Sequence, residues 1–193
     1  LGQIRDWIDA GRPCVPAEVK GQVHPMPEIR KDYLDFLLKY KGDWSGLKIA
    51  MDVSNGMASL FVRDIFGDQP AYIYEEMDGR FPNHEPNPLN PKNIVDLQKL
   101  VAETKSDIGV IYDGDADRVM FVDENSRFIS PDLMIAVLGH YFLEERGEKG
   151  YIHQDIRSSK AVGEYLAPMG GVMNTWRVGR AYAALKLREL DGV

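Results

Sequence analysis

The residues with the plainest chemistry stand in one run, Asp113-Gly114-Asp115-Ala116-Asp117-Arg118. Carboxylates at every second position, separated by small residues, can turn toward one point. Three like charges that close repel by a few kcal/mol even at an effective dielectric of about 20, so the spacing asks for a positive partner. A hard divalent cation with oxygen ligands is the economical one. Three protein oxygens leave an octahedral Mg²⁺ with positions for water or a phosphate oxygen. Arg118 adds a guanidinium suited to bidentate contact with a phosphate. The run follows directly on Ile108-Gly109-Val110-Ile111-Tyr112, a stretch of buried-strand character. It therefore lies where α/β sheets carry their sites, at the carboxyl end of a strand.

Three other readings compete. A solvated acidic turn is what most Asp/Gly loops are, although Asp at every second place after a buried strand is unusual for one. An EF-hand also opens Asp-x-Asp-x-Asp, and Glu124 falls at its twelfth position. Its sixth position should be Gly, however, where this sequence has Arg118, and its flanks should be helices. A phosphatase of the haloacid dehalogenase type places Asp-x-Asp after a strand, but no downstream acidic pair accompanies it here.

The elements that must hold this loop alternate regularly. Pro27 opens a helix with Ile29, Tyr33, Phe36, Leu37 and Tyr40 along one stripe. Strands are expected at 47–53, 71–74, 108–112, 119–122, 151–156 and 171–175. Helices are expected at 57–66, 92–104, 159–166 and 178–190, with a long one capped by Ser130, carrying Pro131 at its first position and ended by Gly147. Strands alternating with helices of this length predict an α/β fold, a mixed, mostly parallel sheet with flanking helices. The polar segment Glu144–Gly150 marks a domain boundary, leaving a short second α/β unit after it. Ahead of the helix at Pro27 lies a proline-rich linker with Pro13, Pro16 and Pro25, preceded by Ile4, Trp7 and Ile8 at helical spacing.

Composition narrows the function. The chain has 193 residues, 23 Lys plus Arg, 30 Asp plus Glu and a net charge of −7, which disfavours nucleic acid as a partner. No apolar run approaches the roughly 18 residues of a membrane helix, and no basic-then-apolar leader opens the chain. The single cysteine, Cys14, fits a reducing, cytoplasmic setting and reads as an inert linker thiol. His84, in a loop with three prolines, reads as a brace for that loop rather than a metal ligand. His24, His140 and His153 are isolated, and the methionines 51, 120 and 134 read as core filler. Trp176 is the tryptophan of interest, being next to Arg177.

The run Asp113–Arg118 resembles the metal-binding loop of the α-D-phosphohexomutases, the phosphomannomutase/phosphoglucomutase family. Asp52-Val53-Ser54-Asn55-Gly56-Met57-Ala58 resembles the family's Asp-x-x-Asn-Gly strand-to-helix turn. Asp78-Gly79-Arg80-Phe81-Pro82-Asn83-His84-Glu85-Pro86-Asn87-Pro88 resembles its Asp-Gly-x-Phe-Pro-x-His-x-Pro-Asn-Pro loop. Val122–Asn125 with Ser130–Asp132, and Arg177-Val178-Gly179, resemble further segments in order.

The resemblance implies a Mg²⁺-dependent mutase that interconverts hexose 6-phosphate and hexose 1-phosphate, of mannose and/or glucose. The reaction would run through a phosphoserine and a hexose bisphosphate intermediate. Asp113, Asp115 and Asp117 would be the metal ligands, and Arg118 would stabilise charge on the transferring phosphoryl group. Arg157 and Arg180 would be phosphate or substrate contacts. Many members carry Lys and His at these two places, and an Arg cannot readily give up a proton. Residues 1–26 would be the end of a first domain and its linker, 27–147 the metal-binding second domain, and 148–193 the opening of a third. The family's Ser-His-Asn-Pro and Gly-Glu-x-x-Gly-His loops do not occur in this sequence. The chain alone is therefore expected to be inactive, and the remaining domains of the same protein to be its partners. A module of the same fold that holds Mg²⁺ or phosphate without catalysis is the alternative.

Overall fold

The computed structural model describes residues 2–12 and 15–192; Cys14 lies outside the described residues. The chain divides into two compact units, between Tyr40 and Lys41. The first contains helices α1 (Gly2–Asp9) and α2 (Ile29–Leu38). Neither buries a residue, and Ile4, Trp7 and Ile8 of α1 stay largely exposed.

The second unit is built on a five-stranded sheet: β1 (Ile49–Asp52), β2 (Ala71–Ile73), β3 (Ile108–Tyr112), β4 (Val119–Asp123) and β5 (Phe128–Ile129), in the order β2-β1-β3-β4-β5. β1 runs parallel to both β2 and β3, whereas β3–β4 and β4–β5 are antiparallel. Connection length explains the mixture. The segments returning to parallel partners are long enough to carry helices α3 (Val62–Phe66) and α4 (Val95–Thr104), while short turns join the antiparallel pairs. Ile94, Leu97 and Val101 line one face at helical spacing and bury against Ala50, Ile111 and Val122. A Cβ on Gly109 would lie 2.7 Å from a Val101 methyl, so α4 sits directly on β3 because that position is glycine. The opposite face buries Ile49, Met51 and Val110 beneath Trp44, Phe66 and Tyr72.

A two-stranded parallel sheet follows, β6 (Tyr151–Asp155) with β7 (Val172–Trp176), accompanied by α6 (Lys160–Leu166) and α7 (Arg180–Leu190). Leu143, Ile152, Val162 and Leu166 form its core together with Ile135 and Ala136 of α5 (Pro131–His140).

Two expected helices differ in form. The segment 57–66 breaks into a 3-10 turn at Met57–Leu60 and α3, with Phe61 between them at φ −135°. Its first amide, that of Met57, which has no partner inside a helix, donates to the carbonyl of Gly114. The helix at 130 starts as expected, Ser130 Oγ accepting the Leu133 amide, but after His140 it loosens into a wider π-type turn, Tyr141–Glu145. Among the described residues no helix is long and apolar enough to cross a membrane.

Candidate functional site

Asp113–Arg118 is the turn between β3 and β4, with strands on both sides, which removes the EF-hand reading. The Asp113 amide donates to the Arg118 carbonyl at 3.1 Å, and the Ala116 amide donates to the Asp113 carbonyl at 3.2 Å. Ala116 takes the left-handed conformation, φ 62°, which throws Asp115 and Asp117 back toward Asp113. One oxygen from each of the three carboxylates lies within 4.8 Å of the others, Asp113 buried and the other two exposed. An all-oxygen donor set of this kind suits a hard divalent cation.

The electrostatics are uneven. Asp113 is 1% exposed. Its oxygens accept the Arg118 amide at 3.1 Å and the Arg118 Nε–H at 2.6 Å. Burial works to raise its pKa; the bonds and charge of Arg118 outweigh burial, so Asp113 is held below its ordinary value. Asp117 moves the other way, pushed up chiefly by the charge of Asp115, with Asp113 adding to it. Repulsion between exposed carboxylates is therefore left in the loop, and a cation would relieve it.

Two further segments hold the loop in shape. At the end of β1 the chain turns through Ser54 and Asn55, both left-handed at φ 53° and 52°, into Gly56. A Cβ on Gly56 would stand 2.7 Å from the Gly114 carbonyl oxygen, so only glycine lets this turn lie against the carboxylate loop. The Met57 amide donates to that carbonyl at 2.9 Å, and Ser54 Oγ–H donates to the Tyr112 carbonyl at 2.7 Å. The second segment is the proline-rich loop. Its Phe81 and Pro86 face Gly114, Asn83 donates to Asn55 Oδ1 at 2.8 Å, and Asn87 Oδ1 lies 3.4 Å from Arg118 Nη1. His84 braces this loop against Asp52, Nε2 to Oδ2 at 3.0 Å.

Arg157 and Arg180 come together elsewhere, at the carboxyl ends of β6 and β7. They line a cleft of about 380 Å³ with His153, Gln154, Asp155 and Arg177; none of the three clustered aspartates lines it. Asp155 accepts the Arg157 amide at 2.8 Å and the Arg157 Nη2–H at 2.6 Å, which lowers its pKa. The Arg177 guanidinium lies 3.3 Å from the centre of the Tyr182 ring. Arg180 makes no ion pair among the described residues. Sequence reading missed three members of this cleft. Gln154 Oε1 and both ring nitrogens of His153 are buried without a partner. The third, Asp155, could have been found, since it ends β6 as Asp52 ends β1, and each accepts the amide two residues on.

The domain described as phosphoglucomutase/phosphomannomutase, alpha/beta/alpha domain II, matches residues 31–126. A phosphomannomutase of Methanocaldococcus jannaschii is 31% identical over 84% of this chain and 36% of its own length. A phosphoglucosamine mutase of Streptococcus equi subsp. equi is 34% identical over 97% of this chain and 42% of its own. The chain thus spans about two-fifths of the length of these relatives. A crystal structure of a phosphoglucomutase/phosphomannomutase family protein from Burkholderia thailandensis superposes with a TM-score of 0.83 at 24% identity, over 99% of this chain and 41% of that one.

Proposed function

Because the chain belongs to the phosphoglucomutase/phosphomannomutase family, the α-D-phosphohexomutases, we propose that it carries the metal-binding part of a hexose-phosphate mutase. The reaction would interconvert hexose 6-phosphate and hexose 1-phosphate by way of a phosphoserine and a bisphosphorylated sugar. The sugar is mannose and/or glucose, with glucosamine the alternative raised by relatives named phosphoglucosamine mutase. The observation that carries the proposal is the cluster of three carboxylate oxygens within 4.8 Å at the end of β3.

In this reading Asp113, Asp115 and Asp117 hold Mg²⁺, which when bound supplies positive charge to the phosphoryl group in transfer. Asp113 is fixed before any ligand arrives, because burial and Arg118 leave its carboxylate one orientation. Arg118 keeps Nη2 for the phosphoryl oxygens while its Nε stays on Asp113 and Nη1 faces Asn87. Arg157 and Arg180 bind a substrate phosphate or hydroxyls in the second cleft, and neither serves as a proton donor there. The serine and the sugar-reading loop come from other domains of the same protein. Residues 1–26, 27–147 and 148–193 then divide among the first, second and third domains, and the setting is cytoplasmic.

The test is phosphoryl transfer in the intact enzyme with glucose 1-phosphate and mannose 1-phosphate. Turnover that needs a divalent cation and is lost in Asp115→Ala supports the proposal, as does the absence of turnover by this chain alone. Full activity of the Asp115→Ala enzyme overturns it.

A further inference from the structure

Asp52 and His84 are the most deeply buried ion pair among the described residues, with side chains 0% and 7% exposed. Each partner is fully committed. Asp52 Oδ1 accepts the Ser54 amide at 2.8 Å, and Oδ2 faces His84 Nε2 at 3.0 Å. His84 Nδ1 faces the Glu85 carbonyl at 2.9 Å. A carbonyl and a carboxylate can only accept. With Asp52 ionised, both ring nitrogens donate, which makes the ring an imidazolium.

The other ionisable groups around the ring agree with that charge. From α4, Asp96 takes the Tyr74 hydroxyl at 2.8 Å and Lys99 at 2.9 Å, and Tyr74 sets its ring edge-on to His84 at 5.5 Å. Glu85, on His84's own loop, contributes its carbonyl. The hydrogen bond to Asp52 is the main reason that the proton is held more tightly than in a free histidine; burial opposes it, and Asp96 adds a little.

The pair joins the two segments that touch the carboxylate loop. From Asp52 the path runs through the Ser54 amide to the Ser54 hydroxyl and on to the Tyr112 carbonyl, the peptide that enters Asp113. From His84 it runs along the chain to Asn83, bonded to Asn55, and to Pro86 and Asn87, which meet Gly114 and Arg118. We infer that His84 is a positioning residue: its protonated ring, paired with Asp52, clamps the β1 turn and the proline-rich loop around Asp113–Arg118. Loss of its proton slackens the loop and weakens divalent-cation binding. The second clause rests on the metal reading of the loop; the first does not.

The sign sets this apart from simple ligand titration. Carboxylate ligands alone bind a cation more tightly as pH rises and protons leave them. A slackening brace makes affinity fall as pH rises through the titration of His84. The experiment follows backbone amide and His84 ring NMR signals of the protein from pH 6 to about 10, without metal and at increasing Mg²⁺. Expected without metal is a ring that keeps its second proton to a higher pH than a free histidine does, with the Gly114 and Arg118 amides shifting on the same midpoint. With Mg²⁺, affinity falls about tenfold through that midpoint, the scale for groups that orient metal ligands. In His84→Gln both effects vanish. A ring that titrates while the loop amides stay still, or one that loses its second proton at a lower pH than a free histidine, overturns the brace. The wild-type arm decides this even if His84→Gln fails to fold. Loop amides that follow His84 but ignore Mg²⁺ uphold the brace and overturn the metal reading instead.

Discussion

The ends of β1 and of β6 are built on the same local plan and put to opposite electrostatic use. Each strand finishes in an aspartate whose carboxylate accepts the amide two residues further on, Ser54 after Asp52 and Arg157 after Asp155. At β1 the aspartate is fully buried, its turn lies against the Gly114 carbonyl, and a second loop closes over it. At β6 the paired Arg157 side chain is 72% exposed and the cleft is open. The difference follows from charge. Three carboxylates converge only if surrounding bonds resist their repulsion, so the acidic loop is held from several sides. Arginines approaching an anion carry long, adaptable side chains and need less scaffolding. Rigidity is concentrated where like charges must be kept together.

The largest effect should come from breaking the acidic end at an exposed carboxylate, Asp115. In the intact enzyme Asp115→Ala should lower turnover by about a hundredfold or more, since a cation's stabilisation of a transferring phosphoryl group is worth several kcal/mol. Its melting temperature should hardly change, because Asp115 is exposed and repels its neighbours. Turnover kinetics beside a thermal melt separate the two.

Next comes the scaffold. Gly56→Ala should destabilise the protein by about 1–3 kcal/mol, as an added methyl must push the Gly114 carbonyl away. Gly163→Ala, near β7, should cost less, because the nearest atom is a flexible Met173 side-chain carbon at 3.0 Å. Denaturant unfolding of both variants measures the contrast, and equal losses would erase it.

At the cationic end the expected change is smaller. Arg180→Ala should raise KM for a hexose phosphate about tenfold, the worth of one charge-assisted hydrogen bond, and should leave the midpoint of unfolding where it was. The smallest effect is on stability against pH. His84 has a folded pKa raised above its ordinary 6.5, with Asp52 as the main cause. Its stabilisation is therefore complete below the unfolded value and fades as pH rises through the folded one. Thermal melts in steps across that range should show the decline in wild type and not in Asp52→Asn.

Much of the acidic end could be read from the chain, and little of the cationic end. Asp113, Asp115 and Asp117 announce themselves because their spacing is local and follows an apolar strand. The helix start at Ser130 is local too, and it has the predicted form. What sequence could not supply is set by tertiary contact. The β5 strand has only two residues, too few for periodicity. The helix at 57 breaks at Phe61, φ −135°, and nothing in the local pattern marks that residue. The Asp52–His84 pair spans 32 positions, and His84 was legible only as a loop brace without its partner. In the cleft, Arg157 and Arg180 came from resemblance alone, while His153 and Gln154 carry no signal beyond lying in a strand.

Magnesium titration calorimetry on this chain, beside its Asp113→Asn variant, tests the central claim most directly. Three carboxylates without the phosphate oxygen that would complete the shell should bind Mg²⁺ weakly, because Mg²⁺ surrenders its waters reluctantly, and the variant should lose that binding. Tight, submicromolar binding that survives Asp113→Asn would contradict a three-aspartate site completed by phosphate.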